Sequence, residues 1–231
     1  MADALMVWDV ESTGIDIESD RILTAYAAVF ASDGTTLDER SWIINPGVEV
    51  PEAATAVHGI TTEFIQENGR PDSGKAILEI AQFIRQGYPI VGYNNSYDLG
   101  ILDRELRRHG FRGLEELPSD AQFFDPLIYD RATDKYRKGS RKLMDVAKHY
   151  GVEVDEGRLH EAKYDVILTA QLAWLMLEKT PHTMAELQSL QPQWKAAWAQ
   201  GLTEYFAQTG KTEDNGDRIV VDGSFPWEEY K

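Results

Sequence analysis

The stretch Leu5-Met6-Val7-Trp8-Asp9-Val10-Glu11-Ser12-Thr13-Gly14 sets the terms for the rest of the chain. Its apolar run predicts a buried strand over residues 4–11, and Ser12-Thr13-Gly14 end it with turn chemistry. Side chains alternate faces along a strand, so Asp9 and Glu11 point the same way with one residue between them. Apolar neighbours occupy both faces, which marks a central strand. Two anions side by side in such a place repel one another and lose hydration. A bound divalent cation removes both costs, so a chain organised around this strand should supply further ligands elsewhere.

Taken in order, the sequence alternates strand and helix patterns. Residues 21–31 and 39–45 are expected as a second and third strand, joined by a hairpin turn at Asp33-Gly34. Residues 51–57 read as a short helix begun by proline, and Thr61-Thr62 as the cap of another. A helix over 73–86 has Ile77, Ile80, Ala81 and Ile84 at helical spacing. Residues 88–93 form a short buried strand, after which Asn94-Asn95-Ser96 caps a helix over 97–109. A last strand is expected over 122–125, then helices over 126–134, 140–150 and 161–178. A further helical stretch over 184–208 should be broken by Pro192, and a tail runs on from Thr209. Hairpin-linked strands succeeded by alternating helix and strand indicate an α/β layered domain with a mixed sheet. That domain is expected over 1–180, with 181–231 as a helical C-terminal extension and tail.

The chain has no cysteine, which excludes disulfides, thiolate zinc sites and a cysteine nucleophile. There is no charged start leading into an apolar core, and no apolar run long enough to span a bilayer. A cytoplasmic protein without membrane contact is therefore expected. The formal net charge of −16 argues, taken alone, against a nucleic-acid partner. The charge is uneven, however. Arg131, Lys135, Arg137, Lys138, Arg141 and Lys142 stand against a single acid, Asp134. Such a patch can grip phosphates, or it can be a solvated helix end or loop.

Further candidate ligands are Asp98, Asp165 and His160. Asp98 falls in the first turn of a helix just after a buried strand, where sites form in α/β sheets; a plain helix-dipole carboxylate is the other reading. His160 and Asp165 would lie about 140° apart on one continuous helix. They share a site only if His160 precedes the helix and Asp165 opens it; otherwise they are a surface histidine and a solvated acid. Four carboxylates and an imidazole together change the balance. An all-oxygen carboxylate set suits Mg²⁺ or Mn²⁺ rather than zinc. Two such ions about 4 Å apart can hold the attacking and leaving oxygens of a phosphoryl displacement. A histidine can take a proton from the attacking water.

The order Asp9-x-Glu11, then Asp98 in Asn94-Asn95-Ser96-Tyr97-Asp98, then His160-x4-Asp165 resembles the three exonuclease motifs of the DEDDh superfamily. More closely, the chain resembles the DnaQ-like 3′–5′ exonucleases related to the proofreading epsilon subunit of bacterial DNA polymerase III. Ile44-Asn45-Pro46-Gly47 and Ala56-Val57-His58-Gly59-Ile60-Thr61 are similar to that group. So are Asp125-Pro126 through Tyr136-Arg137-Lys138-Gly139 and His149-Tyr150-Gly151-Val152, which resemble actinobacterial and phage members in particular. The likeness covers about residues 4–178. Tyr93 stands where many relatives have histidine, and Glu161 where relatives often have aspartate.

The resemblance implies a ribonuclease H-like, five-stranded mixed sheet flanked by helices. It implies that Asp9, Glu11, Asp98 and Asp165 hold two Mg²⁺ or Mn²⁺ ions, and that His160 acts as, or orients, the general base. Ser12 and Thr13 would approach the terminal nucleotide, Val57 and His58 its base and sugar, and Tyr97 would pack nearby. The activity implied is removal of 5′-mononucleotides from single-stranded or frayed DNA 3′ ends, with Arg137 and Lys138 of the basic patch expected to guide the strand. A DNA polymerase or another replication or repair protein would be the partner. Three other readings compete. An exoribonuclease trimming RNA ends would recognise the 2′ hydroxyl. A non-catalytic binding module would have lost an acid ligand, and none of the five positions is lost. A small-molecule phosphohydrolase would need no basic path for a strand.

Overall fold

Strand β1, Ala4–Ser12, is the middle strand of a five-stranded sheet of order β3-β2-β1-β4-β5. The structure is a computed structural model and describes residues 3–155, 157, 162–213 and 216–227. β2, Ile22–Ala31, pairs antiparallel with β1, and β3, Thr36–Ile43, pairs antiparallel with β2. On the other side β4, Ile90–Val91, and β5, Phe123–Phe124, join in parallel. The sheet is therefore mixed, as expected from hairpin links early and helical crossovers later.

The third strand starts earlier than the pattern of 39–45 suggested. Gly34 takes a left-handed φ of 86°, which makes the turn tight enough for Thr36 to pair with Phe30 at once. The fourth strand is shorter than 88–93. The chain leaves the ladder at Gly92, where an added Cβ would stand 2.7 Å from the Asn95 side-chain oxygen, and turns into a helix.

Helices cover both faces of the sheet. Two short ones, α1 (Glu52–His58) and α2 (Thr62–Asn68), come after β3; Thr61 caps α2 by accepting the Phe64 N–H, as its sequence predicts. Helices α3 (Ser73–Ile84) and α4 (Asn95–Arg108) pack with Met6, Trp8 and Val10 in one core. After β5 come α5 (Pro126–Thr133), α6 (Leu143–His149) and α7 (Ala162–Lys179). Leu5 and Val7 pack with Val166, Ala170 and Ala173 of α7 in the second core. Asp9 and Glu11 have the strand parity of Leu5 and Val7, so they face α7, the helix that carries Asp165.

The last helix, α8 (Met184–Thr209), opens with a reciprocal capping box between Thr183 and Glu186. It runs unbroken through Pro192, contrary to expectation. A helical proline removes one hydrogen bond and crowds the preceding turn, at about 3 kcal/mol. Tertiary contacts on both sides offset that. Gln188 and Gln191 bond to the backbone at β5, and Trp194 packs edge-on against Tyr129 at 6.3 Å. The Arg131 guanidinium lies 3.8 Å above the ring of Trp198, one turn on from Trp194. The segment after α8 docks on the body through Phe225 and Trp227, whose rings meet Phe123 at 6.4 and 6.0 Å. Among the described residues no helix is long and apolar enough to cross a membrane.

Candidate active site

Asp9 and Glu11 project from the end of β1, and Asp165 meets them from the first turn of α7. Each offers a carboxylate oxygen, and the three oxygens lie within 4.8 Å of one another. Asp98 comes from the first turn of α4, and its Oδ1 accepts the backbone N–H of Val10 at 3.2 Å. Two helices from opposite faces of the sheet thus deliver acids to one strand end. His160 and Glu161 lie outside the described residues.

The electrostatics show what this crowding costs. Burial pushes the Asp9 carboxyl well above the ordinary carboxylate range, and Asp98, Glu11 and Asp165 push it further. Glu11 is raised to about 7, by burial first and by Asp165 second. Asp98 is also raised by burial, although the Val10 N–H opposes this by stabilising the anion. At the separations found here, like charges repel by roughly 3 kcal/mol per pair with an intermediate dielectric. Glu11, raised to about 7, therefore holds part of a proton near neutrality unless a cation takes its place. Among the described residues the cluster's donors are all hard oxygens, a set that suits a divalent cation.

Beside the acids a cleft of about 710 Å³ opens between the end of β1, the adjoining turn and α1. Glu11, Ser12, Thr13, Val57, His58 and Tyr97 all line it. The Tyr97 hydroxyl donates to the Gly14 carbonyl at 2.5 Å and lies 2.6 Å from Ser12 Oγ. Thr13 is held from behind: its hydroxyl donates to Asp20 at 2.7 Å and accepts the Arg21 N–H at 3.0 Å. A Cβ at Gly14 would sit 2.5 Å from the Asp20 carboxylate and push it off Thr13. On the opposite wall His58 Nδ1 accepts the Ile60 N–H at 3.1 Å. That fixes the proton on Nε2, which faces the Ser12 carbonyl at 3.2 Å. Val57 is 58% exposed and presents an apolar surface to the opening.

Arg137 and Lys138 do not line the cleft, and the two differ. The Arg137 guanidinium donates to the fully buried Asp130 at 2.8 Å and to the Ser140 carbonyl at 3.2 Å. Arg141 bonds to the same Asp130. Lys135, Lys138 and Lys142 remain exposed.

Sequence reasoning missed the residues that hold the acids in place. Asn94 precedes α4 with a left-handed φ of 65° and makes no side-chain cap, contrary to expectation. The cap comes from Asp125 instead, which accepts the N–H groups of Asn94 at 3.2 Å and Asn95 at 3.0 Å. Asp125 also caps α5. Trp8 Nε1 donates to the Asn95 side chain at 3.0 Å, tying β1 to the same turn. The Asp125-Pro126 pair does signal a helix start, but nothing in the sequence says that one carboxylate serves two helices.

The chain is similar in sequence and in fold to known proteins. The profile of the RNase T family, described as exonuclease, matches residues 6–173. A PolC-type DNA polymerase III of Lacticaseibacillus paracasei is 29% identical over 185 residues, which are 80% of this chain and 12% of the polymerase. The PolC-type polymerase III of Clostridium perfringens is 26% identical over 182 residues, 79% of this chain and 12% of that protein. The chain thus spans about one-eighth of the length of these relatives. Among solved structures, E. coli exonuclease I in complex with a dT13 oligonucleotide superposes with a TM-score of 0.68 at 21% identity. The match covers 78% of this chain and 42% of that one. A second exonuclease I structure gives a TM-score of 0.70 at 20% identity, covering 81% and 43%. The fold is the ribonuclease H-like exonuclease fold, with helices on both faces of a mixed five-stranded sheet.

Proposed function

The chain belongs to the RNase T family of DnaQ-like 3′–5′ exonucleases, and from that membership we propose that it shortens single-stranded or frayed DNA from the 3′ end, releasing 5′-mononucleotides. The observation that carries this reading is the meeting of Asp9, Glu11 and Asp165 within 4.8 Å, with Asp98 bonded to the strand between the first two. These carboxylates would hold two Mg²⁺ or Mn²⁺ ions, which supply charge neutralisation at phosphorus and an activated water when bound. The chain's own residues do the rest. The turn at Ser12-Thr13-Gly14, fixed by Tyr97 and Asp20, offers a rigid seat for the terminal nucleotide. Val57 and His58 form the facing wall, against which a base and sugar would rest. His160, five residues before Asp165, would accept the proton of the attacking water. A duplex end must fray for its last phosphate to enter such a cleft.

DNA rather than RNA is favoured because the relatives near 29% identity are DNA polymerases. Those relatives carry their matching segment within a much longer chain, so association with a polymerase or with replication and repair proteins is part of the proposal. The test is a 5′-labelled single-stranded DNA and a matched RNA, incubated with Mg²⁺, Mn²⁺ or EDTA beside an Asp9→Ala protein. A ladder that shortens stepwise from the 3′ end, only with metal and only with wild type, supports the reading. Endonucleolytic fragments, or activity that survives Asp9→Ala, would overturn it. Faster cleavage of RNA would move the substrate to the exoribonuclease class.

A further inference from the structure

Among the described residues, no strand neighbours the outer edge of β5, yet its polar backbone groups are satisfied. Gln188 and Gln191 lie three residues apart on α8, so both amides face the same way. The Gln188 side chain accepts the Phe123 N–H at 2.8 Å and donates to the Phe123 carbonyl at 3.0 Å. The Gln191 side chain accepts the Asp125 N–H at 2.8 Å and donates to the Phe123 carbonyl at 2.9 Å. Two side-chain amides thus take the place of a sixth strand. Gln191 is 0% exposed and Asp125 1%, so water cannot substitute for either.

From Asp125 the connection runs into the site. Its carboxylate caps α4 by holding the Asn94 and Asn95 N–H groups, and Asp98 stands in the first turn of that helix. Asp98 in turn bonds to Val10 between the two β1 acids. Every link is a buried or half-buried hydrogen bond of 3.2 Å or less.

We infer that α8, which lies beyond the segment matched by the exonuclease family, is a working part of the site: Gln191 is a positioning residue that sets the place of Asp98 through Asp125. The inference rests on the exonuclease reading only for its catalytic readout. Displacing a catalytic group by about 1 Å can cost roughly 100-fold in rate, and loss of a supporting partner typically costs about 10–100-fold in metal affinity or activity.

The experiment compares Gln191→Met, which keeps the volume and removes the amide's bonds to Asp125, Phe123 and the Leu187 carbonyl, with two other α8 variants. Gln188→Met unties Phe123 and, within α8, the Met184 carbonyl, and leaves Asp125 held. Leu187→Ala, at a fully buried core position, loosens α8 without touching Asp125. Four quantities are measured: melting temperature, Mn²⁺ affinity by paramagnetic resonance, kcat and KM on single-stranded DNA, and amide hydrogen exchange at Asn94 and Asn95. Gln191→Met should lower kcat about tenfold, weaken Mn²⁺ binding and speed exchange at Asn94 and Asn95, with KM nearly unchanged. Leu187→Ala should melt at least as early while keeping wild-type kcat, Mn²⁺ affinity and exchange at those two amides. The inference is overturned if Gln191→Met keeps wild-type exchange and kcat, or if Leu187→Ala reproduces its losses. A wild-type chain that neither bound Mn²⁺ nor shortened DNA would sink the exonuclease reading instead, and the exchange data would still decide the role of Gln191.

Discussion

Asp98 is clipped to the backbone of Val10, the residue seated between Asp9 and Glu11, by a 3.2 Å hydrogen bond. The fourth acid is therefore tied to the main chain of β1 as well as to the α4 turn that Asp125 holds. The packing of β1, α4 and α7 brings these acids together against their mutual repulsion.

Asp98→Asn keeps an oxygen able to accept the Val10 N–H and removes one negative charge. Activity with Mg²⁺ should fall about 10³-fold, the effect of several kcal/mol of lost charge stabilisation. The metal-free protein should instead become more stable, with a melting temperature in EDTA raised by about 2–4 °C for each kcal/mol of repulsion relieved. Calorimetry in EDTA and single-turnover digestion check the two halves. A variant that loses both activity and stability would show that Asp98 is structural.

Glu11 gives the metal-free protein a definite pH dependence. Its carboxyl is raised from 4.5 to about 7 in the folded chain, so the folded state binds the proton more tightly than the unfolded one. Its stabilising contribution is complete below pH 4.5 and is lost as pH rises through 7, with a size of about 3 kcal/mol. Melting in EDTA should therefore worsen between about pH 4.5 and 7, and added Mg²⁺ should reverse the trend. Glu11→Gln should flatten the EDTA curve; an unchanged slope would assign the effect to other groups.

Tyr97→Phe deletes the hydroxyl that closes the 12–14 turn. Burial holds the Tyr97 phenol at about 12, so it remains a donor at every working pH. Losing it leaves the Ser12 hydroxyl as the one side chain still holding the Gly14 carbonyl, at 2.8 Å, and removes about 0.5–1.5 kcal/mol of net hydrogen bonding from the turn. Because the turn seats the nucleotide while the acids are untouched, KM should rise several-fold with a smaller change in kcat. Steady-state kinetics on a short oligonucleotide measure the split.

Arg137 and Lys138, adjacent in the chain, should respond differently to charge reversal. Arg137→Glu strips a partner from buried Asp130 and adds an anion beside it, so destabilisation of about 3–5 kcal/mol is expected. Lys138→Glu should leave the melting temperature unchanged, weaken DNA binding and flatten its salt dependence by about one unit of slope. Binding titrations from low to high salt test this. A Lys138 variant with wild-type slope would remove that residue from the strand path.

The two acids on β1 could be read from the sequence because strand alternation fixes which side chains share a face. The acid of α4 was legible as a helix-start carboxylate after a strand, and Asp165 as one member of a spaced pair. Their meeting was carried by the motif resemblance, since no local rule says which helices cross the same strand end. The cap of α4 was misread because Asn94 has the right side chain for the role, while the actual cap arrives from Asp125, thirty-one residues on. Pro192 was read as a break because propensity is local, whereas Gln188, Gln191 and Trp194 hold the helix from outside it. The basic patch looked uniform in sequence. Only the fold shows that Arg137 and Arg141 face inward to Asp130 while the lysines stay in solvent.

The glutamines of α8 also bear on how the protein keeps to itself. A sheet has two rims, and an open rim is a template for pairing with another chain. Here one rim is sealed by Gln188 and Gln191. The other, β3, is solvent-facing but carries Asp38, Glu39 and Arg40, charges that resist stacking against a copy of themselves. Shortening the chain before α8 would unseal the Phe123 rim, where two phenylalanines and no charge meet solvent. Self-association through that rim, rather than simple unfolding, is the outcome to watch for in any truncated form.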